Sequence, residues 1–397
     1  MRVLILSHMY PYASEPAFGL FVHNQVKELA KRCQVIVLSP TPMSPPIMRR
    51  LKAKWAQYAS KPEISELEGI TVYYPRYINP PGRHGYGPGA FLVRLAMGNL
   101  VRRLRDSFGF ELIHAHTICL DGLAATWLGR LVGTPVVCTL HGSDINVFPQ
   151  RSKLTRIAAQ WAIRNVDGLI AVSAELKEKA LSIGIPKREI TVIPNGVDVQ
   201  QFTSMDQRQV RAKLGLANDK KIIVYVSRLD NMKGLSYLLP AFRTVTEHKG
   251  DCLLALVGEG PYRARLEQQV AQLGLGESVI FAGFRPHSEI PMWINACDLV
   301  VHPSLLEGSP LPIYETLACG KPVVASRVGG IPEVITSDAY GLLVPPASSE
   351  ALAESLSRAL EKTWNSRLIR SYGVQYSWTA VAERLLNAYR QVLQEEQ

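Results

Sequence analysis

The chain alternates short aliphatic and β-branched runs with longer stretches in which apolar residues recur at helical spacing. In the first half the runs are Val3–Ser7, Val35–Ser39, Ile70–Tyr74, Leu112–His116, Val136–Leu140, Leu169–Ser173 and Thr191–Ile193. In the second half they are Ile222–Ser227, Cys252–Val257, Val279–Ala282, Leu299–His302, Val323–Ser326 and Leu342–Val344. Such runs fit strands covered on both faces, and the amphipathic stretches between them fit the crossover helices of βαβ units. The pattern predicts an α/β protein with a parallel sheet in 1–194 and a second in 195–377. Pro194-Asn195-Gly196-Val197-Asp198, followed by polar Thr203 to Gln209, reads as the linker. The last amphipathic stretch, Thr379 to Gln394, follows no strand of its own, so 378–397 is expected to cross back onto the first domain.

Composition changes this picture little. A length of 397 residues with 47% hydrophobic content suits two cores. The run Val3 to Leu6 is too short for the apolar core of a signal peptide, and no stretch has the roughly eighteen apolar residues of a spanning helix, so the expected location is cytoplasmic. The six cysteines are scattered without a CxxC pair and read as reduced core residues, with no disulfide framework or zinc site.

Charge changes it more. Residues 1–190 hold 24 Lys+Arg against 13 Asp+Glu, whereas residues 191–397 hold 20 against 21. Much of the excess lies between Arg49 and Arg105. The asymmetry fits an anionic partner (nucleic acid, acidic lipid or a phosphorylated substrate) or a merely solvated face. No nucleic-acid module accompanies it. Basic residues there alternate with Leu51, Trp55, Tyr58, Phe91, Leu92, Leu95 and Leu104, which is the pattern of a surface resting on anionic headgroups.

Open parallel sheets bind ligands beyond the carboxyl ends of their strands, so the residues after each run are the candidates for chemistry. After the first run, Phe18-Gly19 precedes a helix, where a glycine lets backbone approach a phosphate or simply makes a turn. The fifth run ends at His141-Gly142-Ser143-Asp144, where His141 either points into a cleft, able to exchange a proton with a sugar hydroxyl, or is a structural histidine. His114 and His116 end the preceding run. The second domain opens with Ser227-Arg228-Leu229-Asp230 and Lys233-Gly234; the two cations suit a pyrophosphate or form surface ion pairs. Gly258-Glu259-Gly260-Pro261 departs from the dinucleotide fingerprint and reads as a turn. The densest feature runs from Glu307-Gly308-Ser309-Pro310 to Glu315 and Gly320-Lys321-Pro322. Ser309 is the expected N-cap, with Pro310 in the first helical position. Glu307 then lies before the helix and Glu315 in its second turn, two carboxylates beside a helix N-terminus that can meet sugar hydroxyls and a ribose diol.

Together Phe18-Gly19, His141 to Asp144, Ile193 to Asp198, Ser227-Arg228 with Lys233, Phe281-Ala282-Gly283 and the Glu307-x7-Glu315 block with Ala318 to Ala325 resemble the family-4 retaining glycosyltransferases of the GT-B fold. The resemblance covers essentially the whole chain and is nearest to bacterial transferases that build surface polysaccharides. It implies two Rossmann-like domains facing across a cleft. The donor would be a nucleotide sugar, UDP- or GDP-linked, bound mainly by the second domain. Glu315 would hold the ribose diol, Glu307 the donor-sugar hydroxyls, and Arg228 and Lys233 the pyrophosphate. Gly308, Ser309 and Leu311 would line the donor, and Gly19 would approach from the first domain. His141 would meet the sugar or the reacting centre, with His116 and Asp144 on the acceptor side. The resemblance implies retention of anomeric configuration by front-face attack, with the leaving diphosphate taking the acceptor proton. It also implies no metal or other cofactor, since cations and helix N-termini carry the leaving charge. The acceptor would be a glycan or lipid-linked glycan, with an anionic membrane surface as a further partner and no nucleic acid. Many relatives have an aromatic after the first glutamate where this chain has Gly308-Ser309-Pro310-Leu311-Pro312, which bears on sugar specificity. The alternatives are another GT-B enzyme, such as a sugar-nucleotide epimerase or a phosphorylase, and a catalytically silent nucleotide-sugar-binding protein.

Overall fold

A computed structural model describes residues 1–51, 53–79 and 86–394. Lys52 of the basic stretch, and the last three residues of the expected final helix, lie outside the described residues. The chain forms two units, Met1–Pro194 with Trp378–Gln397, and Asn195–Ser377.

Besides a two-residue parallel pairing of Thr41–Pro42 with Arg76–Tyr77, the first unit has the strands β1 (Arg2–Leu6), β2 (Gln34–Leu38), β3 (Ile64–Leu67), β4 (Ile70–Tyr73), β5 (Leu112–His116), β6 (Val136–Leu140), β7 (Gly168–Ala171) and β8 (Thr191–Val192). These eight form one sheet in the order β8-β7-β6-β5-β1-β2-β4-β3. All neighbours are parallel except β3 and β4, a hairpin closed by Glu68 and Gly69 at φ 49° and 79°. The hydrophobic pattern does not foretell β3, whose residues are only half covered at the sheet edge. Helix α1 (Leu20–Ala30) follows β1, and α2 (Tyr86–Ser107), α3 (Leu123–Val132) and α4 (Lys153–Asn165) lie farther along the same unit.

The second unit contains β9 (Lys221–Val226), β10 (Cys252–Val257), β11 (Val279–Gly283), β12 (Leu299–His302), β13 (Val323–Ser326) and β14 (Gly341–Val344), all parallel, in the order β11-β10-β9-β12-β13-β14. Ile222, Val224 and Val226 point into one buried layer, and Ile223 and Tyr225 into the other. That period of two, with both faces apolar, is why the strand sequences read as continuous hydrophobic runs. The unit also holds α5 (Leu311–Ala318) between β12 and β13.

The segment read as a linker is already anchored in the second unit. Asn195 donates from its side chain to the Ser309 carbonyl at 2.9 Å, and the Val197 N–H donates to the Tyr376 carbonyl at 2.9 Å. The final helix, α6 (Trp378–Gln394), belongs to the first unit. It buries Val381, Leu385, Leu386, Tyr389 and Val392 there, and Thr379 donates to Glu28 at 2.9 Å. All six cysteines are free thiols, five of them buried.

Candidate active site

In the second unit the strand order reverses between β9 and β12, and the loops leaving these two neighbours carry most of the candidate residues. The loop after β9 is held in shape by backbone. The Leu229 N–H donates to Glu259 O at 3.0 Å, and the Tyr225 hydroxyl donates to Arg228 O at 2.9 Å. The glycines of Gly258-Glu259-Gly260 exist for this contact. A Cβ on Gly258 would lie 2.0 Å from Ser227 O, and one on Gly260 would lie 2.1 Å from Leu229 O. Arg228 is exposed, with Asp230 at a loose 3.8 Å. Lys233 instead reaches the loop after β12 and forms an ion pair with Glu307.

Glu307 is nearly buried and is held from two sides. His302 Nε2 lies 2.9 Å from the same Oε1, and Ser304 Oγ is 3.2 Å from that ring nitrogen. Burial alone would raise the Glu307 carboxyl, but His302 and Lys233 outweigh it and hold the group at about 2. The carboxylate is therefore ionised at any neutral pH, an acceptor for hydroxyl hydrogens.

Helix α5 begins at Leu311, one residue later than the local rule predicts. Pro310 occupies the N-cap in an extended conformation, and no side chain caps the helix. Ser309 is not the cap. Its hydroxyl is taken by Tyr314 OH at 2.7 Å and accepts the Asn195 N–H at 3.3 Å, both more distant in sequence than the helix N–H groups it was expected to serve. The uncapped end leaves helix N–H groups for an anion beside Gly308 and Leu311. Glu315 is buried in the second turn, and His287 Nε2 meets its Oε1 at 2.7 Å. Burial pulls the His287 ring down, but the Glu315 carboxylate more than compensates and raises it above its ordinary 6.5.

The first unit holds its own cluster at the carboxyl ends of β1, β5 and β6. Gly19 is the N-cap of α1 at φ 69°, and a Cβ there would sit 2.3 Å from Met9 O, so only glycine fits. His141 does not extend freely from its strand end. Its Nε2 lies 2.9 Å from His116 Nδ1, the two rings stack at 5.2 Å, and Phe21 packs against it at 4.7 Å. Burial depresses its ring to about 3, so the imidazole is neutral and can donate or accept but holds no charge at neutral pH. His116 and Asp144, expected on the acceptor side, are both fully buried. Asp144 accepts the N–H groups of His141 at 3.1 Å, Gly142 at 2.9 Å and Ile118 at 3.1 Å, and so braces the loop that carries His141. His114 is equally buried, between Thr139 Oγ1 at 2.7 Å and Tyr389 OH at 2.6 Å.

Three groups were missed in the sequence. His302 and His287 hold the two glutamates, and His8 pairs with Asp121, Nδ1 to Oδ2 at 2.7 Å, where the first sheet reverses its order between β1 and β5. Ser7-His8 at a strand end was the available signal for the last; Asp121, 113 residues away, gave none.

Two family models match this chain. The model of glycosyl transferases group 1 matches residues 206–373, and that of glycosyltransferase family 4 matches residues 19–201. A Bacillus subtilis (strain 168) protein provisionally named a teichuronic acid biosynthesis glycosyltransferase, TuaC, is 31% identical over 361 residues, covering 90% of this chain and 89% of that one. Anabaena HepE, solved in complex with UDP and glucose, superposes with a TM-score of 0.72 at 25% identity over 98% of this chain and all (100%) of its own. Sucrose-phosphate synthase from Thermosynechococcus elongatus shares the fold, with a TM-score of 0.76 at 24% identity over 99% of each chain.

Proposed function

This chain belongs to glycosyltransferase family 4, and from that premise we propose that it is a retaining hexosyltransferase using a nucleoside diphosphate donor, UDP-linked rather than GDP-linked. The observation that carries the reading is the meeting of Lys233, Glu307 and His302 where the strand order reverses, beside an uncapped helix end. In this reading Glu307 accepts hydrogen bonds from hydroxyls of the donor sugar, and Glu315 accepts those of the ribose diol. Arg228 and Lys233 neutralise the pyrophosphate, with the backbone of Gly308, Ser309 and Leu311 alongside. UDP is preferred because the relative HepE, similar over its full length, is solved with UDP and glucose.

The acceptor hydroxyl attacks the anomeric carbon on the face the diphosphate is leaving. The C–O bond to the diphosphate breaks, and the acceptor proton passes to a diphosphate oxygen, so configuration is retained. Because fixed cations carry the leaving charge, the reaction proceeds without a metal, and activity persists in EDTA. The acceptor is a glycan or lipid-linked glycan. His141 acts in the transfer step: His141→Ala binds UDP normally and transfers poorly, and wild-type turnover in this variant makes the ring purely structural.

Thermal shift with UDP, GDP and ADP tests the donor. UDP at a hundredfold excess over its Kd should add about 2.7 kcal/mol of stability. Stabilisation by GDP or ADP alone overturns the choice of base, and no stabilisation by any of them overturns the donor site. With a panel of UDP-sugars, turnover should release UDP. Inversion of a donor-sugar carbon, or binding without turnover, contradicts the reading.

A further inference from the structure

Helices α2, α3 and α4 lie side by side on one face of the first unit. Their junctions are aromatic: Phe91 meets Trp127 at 6.1 Å, and Trp127 meets Trp161 at 5.6 Å. Outward from this seam stand four large apolar side chains that the fold leaves in solvent: Phe91 (49% exposed), Leu95 (55%), Leu154 (57%) and Ile157 (59%). They are not scattered. Phe91 and Leu95 are one helical turn apart on α2, and Leu154, Ile157 and Trp161 form one stripe of α4. The buried side of α4 is a separate set, Thr155, Ala159, Ala162 and Ile163, so packing within the unit does not account for the outer stripe.

The charge around this seam has one sign. Helix α4 carries Lys153, Arg156 and Arg164 and no acidic residue, α3 contributes Arg130 over the Trp161 ring at 5.0 Å, and α2 carries four arginines against Asp106 alone. Lys153, Arg156, Arg164, Arg102 and Arg103 are exposed. Apolar side chains at the centre and unopposed cations around them complement one partner in both respects: a surface with negative headgroups and hydrocarbon just beneath.

We propose that the face formed by α2, α3 and α4 docks the protein on an anionic bilayer, with Phe91, Leu95, Leu154 and Ile157 entering the interface and Lys153, Arg156 and Arg164 meeting headgroups. The proposal names a partner for the acceptor side of the reading above but is independent of the donor site. It also moves the contact from where the sequence alone put it. Leu104 is buried in the core and Leu92 packs against it, whereas α4 now supplies half of the exposed apolar groups.

Co-sedimentation of the full chain with phosphatidylcholine vesicles, with and without phosphatidylglycerol, tests it. Wild type should pellet with the anionic vesicles and be released by salt. Lys153→Gln/Arg156→Gln should weaken partitioning by about fivefold per charge. Leu154→Glu/Ile157→Glu should abolish it, while UDP-induced thermal stabilisation, which reports folding and the donor site separately, stays at the wild-type level. Wild type remaining in the supernatant at low salt overturns the proposal. So does equal pelleting with phosphatidylcholine alone, or wild-type pelleting by Leu154→Glu/Ile157→Glu. A dimer in ultracentrifugation that Leu154→Glu/Ile157→Glu dissolves would make the face a contact between two copies and overturn it too.

Discussion

Lys233 and Glu307 form an ion pair between the loops that leave β9 and β12, the two neighbouring strands at which the second sheet reverses its order. The pair does two things. It helps to ionise a nearly buried carboxylate, and it holds an ammonium group at the site proposed above for the donor's diphosphate. Lys233→Met should therefore lower stability by about 1–3 kcal/mol, since Glu307 keeps only His302, and weaken UDP binding roughly tenfold or more. Glu307 sits at about 2 in the fold against an ordinary 4.5, so the stabilisation is complete above 4.5 and is lost as the pH falls toward 2. The stability gap between wild type and variant, measured by denaturation, should shrink over that window. A gap independent of pH would show that the charge pair is not its source.

Gly260→Ala tests whether the loop after β9 is positioned by close backbone approach. The new Cβ would meet Leu229 O at 2.1 Å, backbone that has no rotamer to yield. The expected outcome is a loss of about 1–3 kcal/mol in stability with weaker UDP binding, because Arg228 moves with the loop. Gly276→Ala, where nothing lies within 4 Å, serves as the control and should change neither. Calorimetry of both variants decides the matter.

His287→Ala should loosen Glu315 and reduce UDP affinity, and His287→Gln should restore part of it through a neutral hydrogen bond. Because the folded ring titrates above its ordinary 6.5, its charge contributes stability fully below 6.5 and loses it as pH rises through the folded value. The destabilisation by His287→Ala should then be larger at pH 6 than at pH 9 on the ~1.36 kcal/mol-per-unit scale of such shifts. An NMR titration placing His287 below 6.5 would contradict this.

Three buried histidines of the first unit predict the opposite dependence. Burial holds His114 and His141 at about 3 and His116 well below 6.5. Neutral rings favour the fold, so their contribution is complete above 6.5 and erodes as pH falls. Each ring costs about 1.4 kcal/mol per pH unit below that point. Thermal unfolding should drop steeply between pH 6.5 and 5, and His114→Gln should flatten the drop.

The sequence made the sheets legible because parallel strands covered on both faces leave uninterrupted hydrophobic runs. It made Glu307 and Glu315 legible because one helix and its preceding loop carry both. What it hid was set by packing between distant segments. His287 reaches Glu315 across 28 residues, and Asn195 and Tyr314 take the hydroxyl of Ser309 that a local rule would have spent on capping. His141 reads from its strand end as pointing into a cleft, but its contact with His116, whose ring stacks on it at 5.2 Å from the neighbouring strand, is set by the sheet's register and not by local sequence. The outer stripe of α4 is legible in the spacing of Leu154, Ile157 and Trp161, but the denser charge lies elsewhere, between Arg49 and Arg105.

Helix α6 also sets an order of events in synthesis. It completes the first unit, yet the ribosome makes it only after every residue of the second. Until then the groove that receives Leu385, Tyr389 and Val392 stands open, and His114 lacks the Tyr389 hydroxyl that satisfies its ring. The amino-terminal half must wait, incompletely folded, while the unit behind it emerges and closes. The nascent chain thus exposes an apolar groove for the time needed to translate residues 195–377, so the first unit closes only after the second has been made.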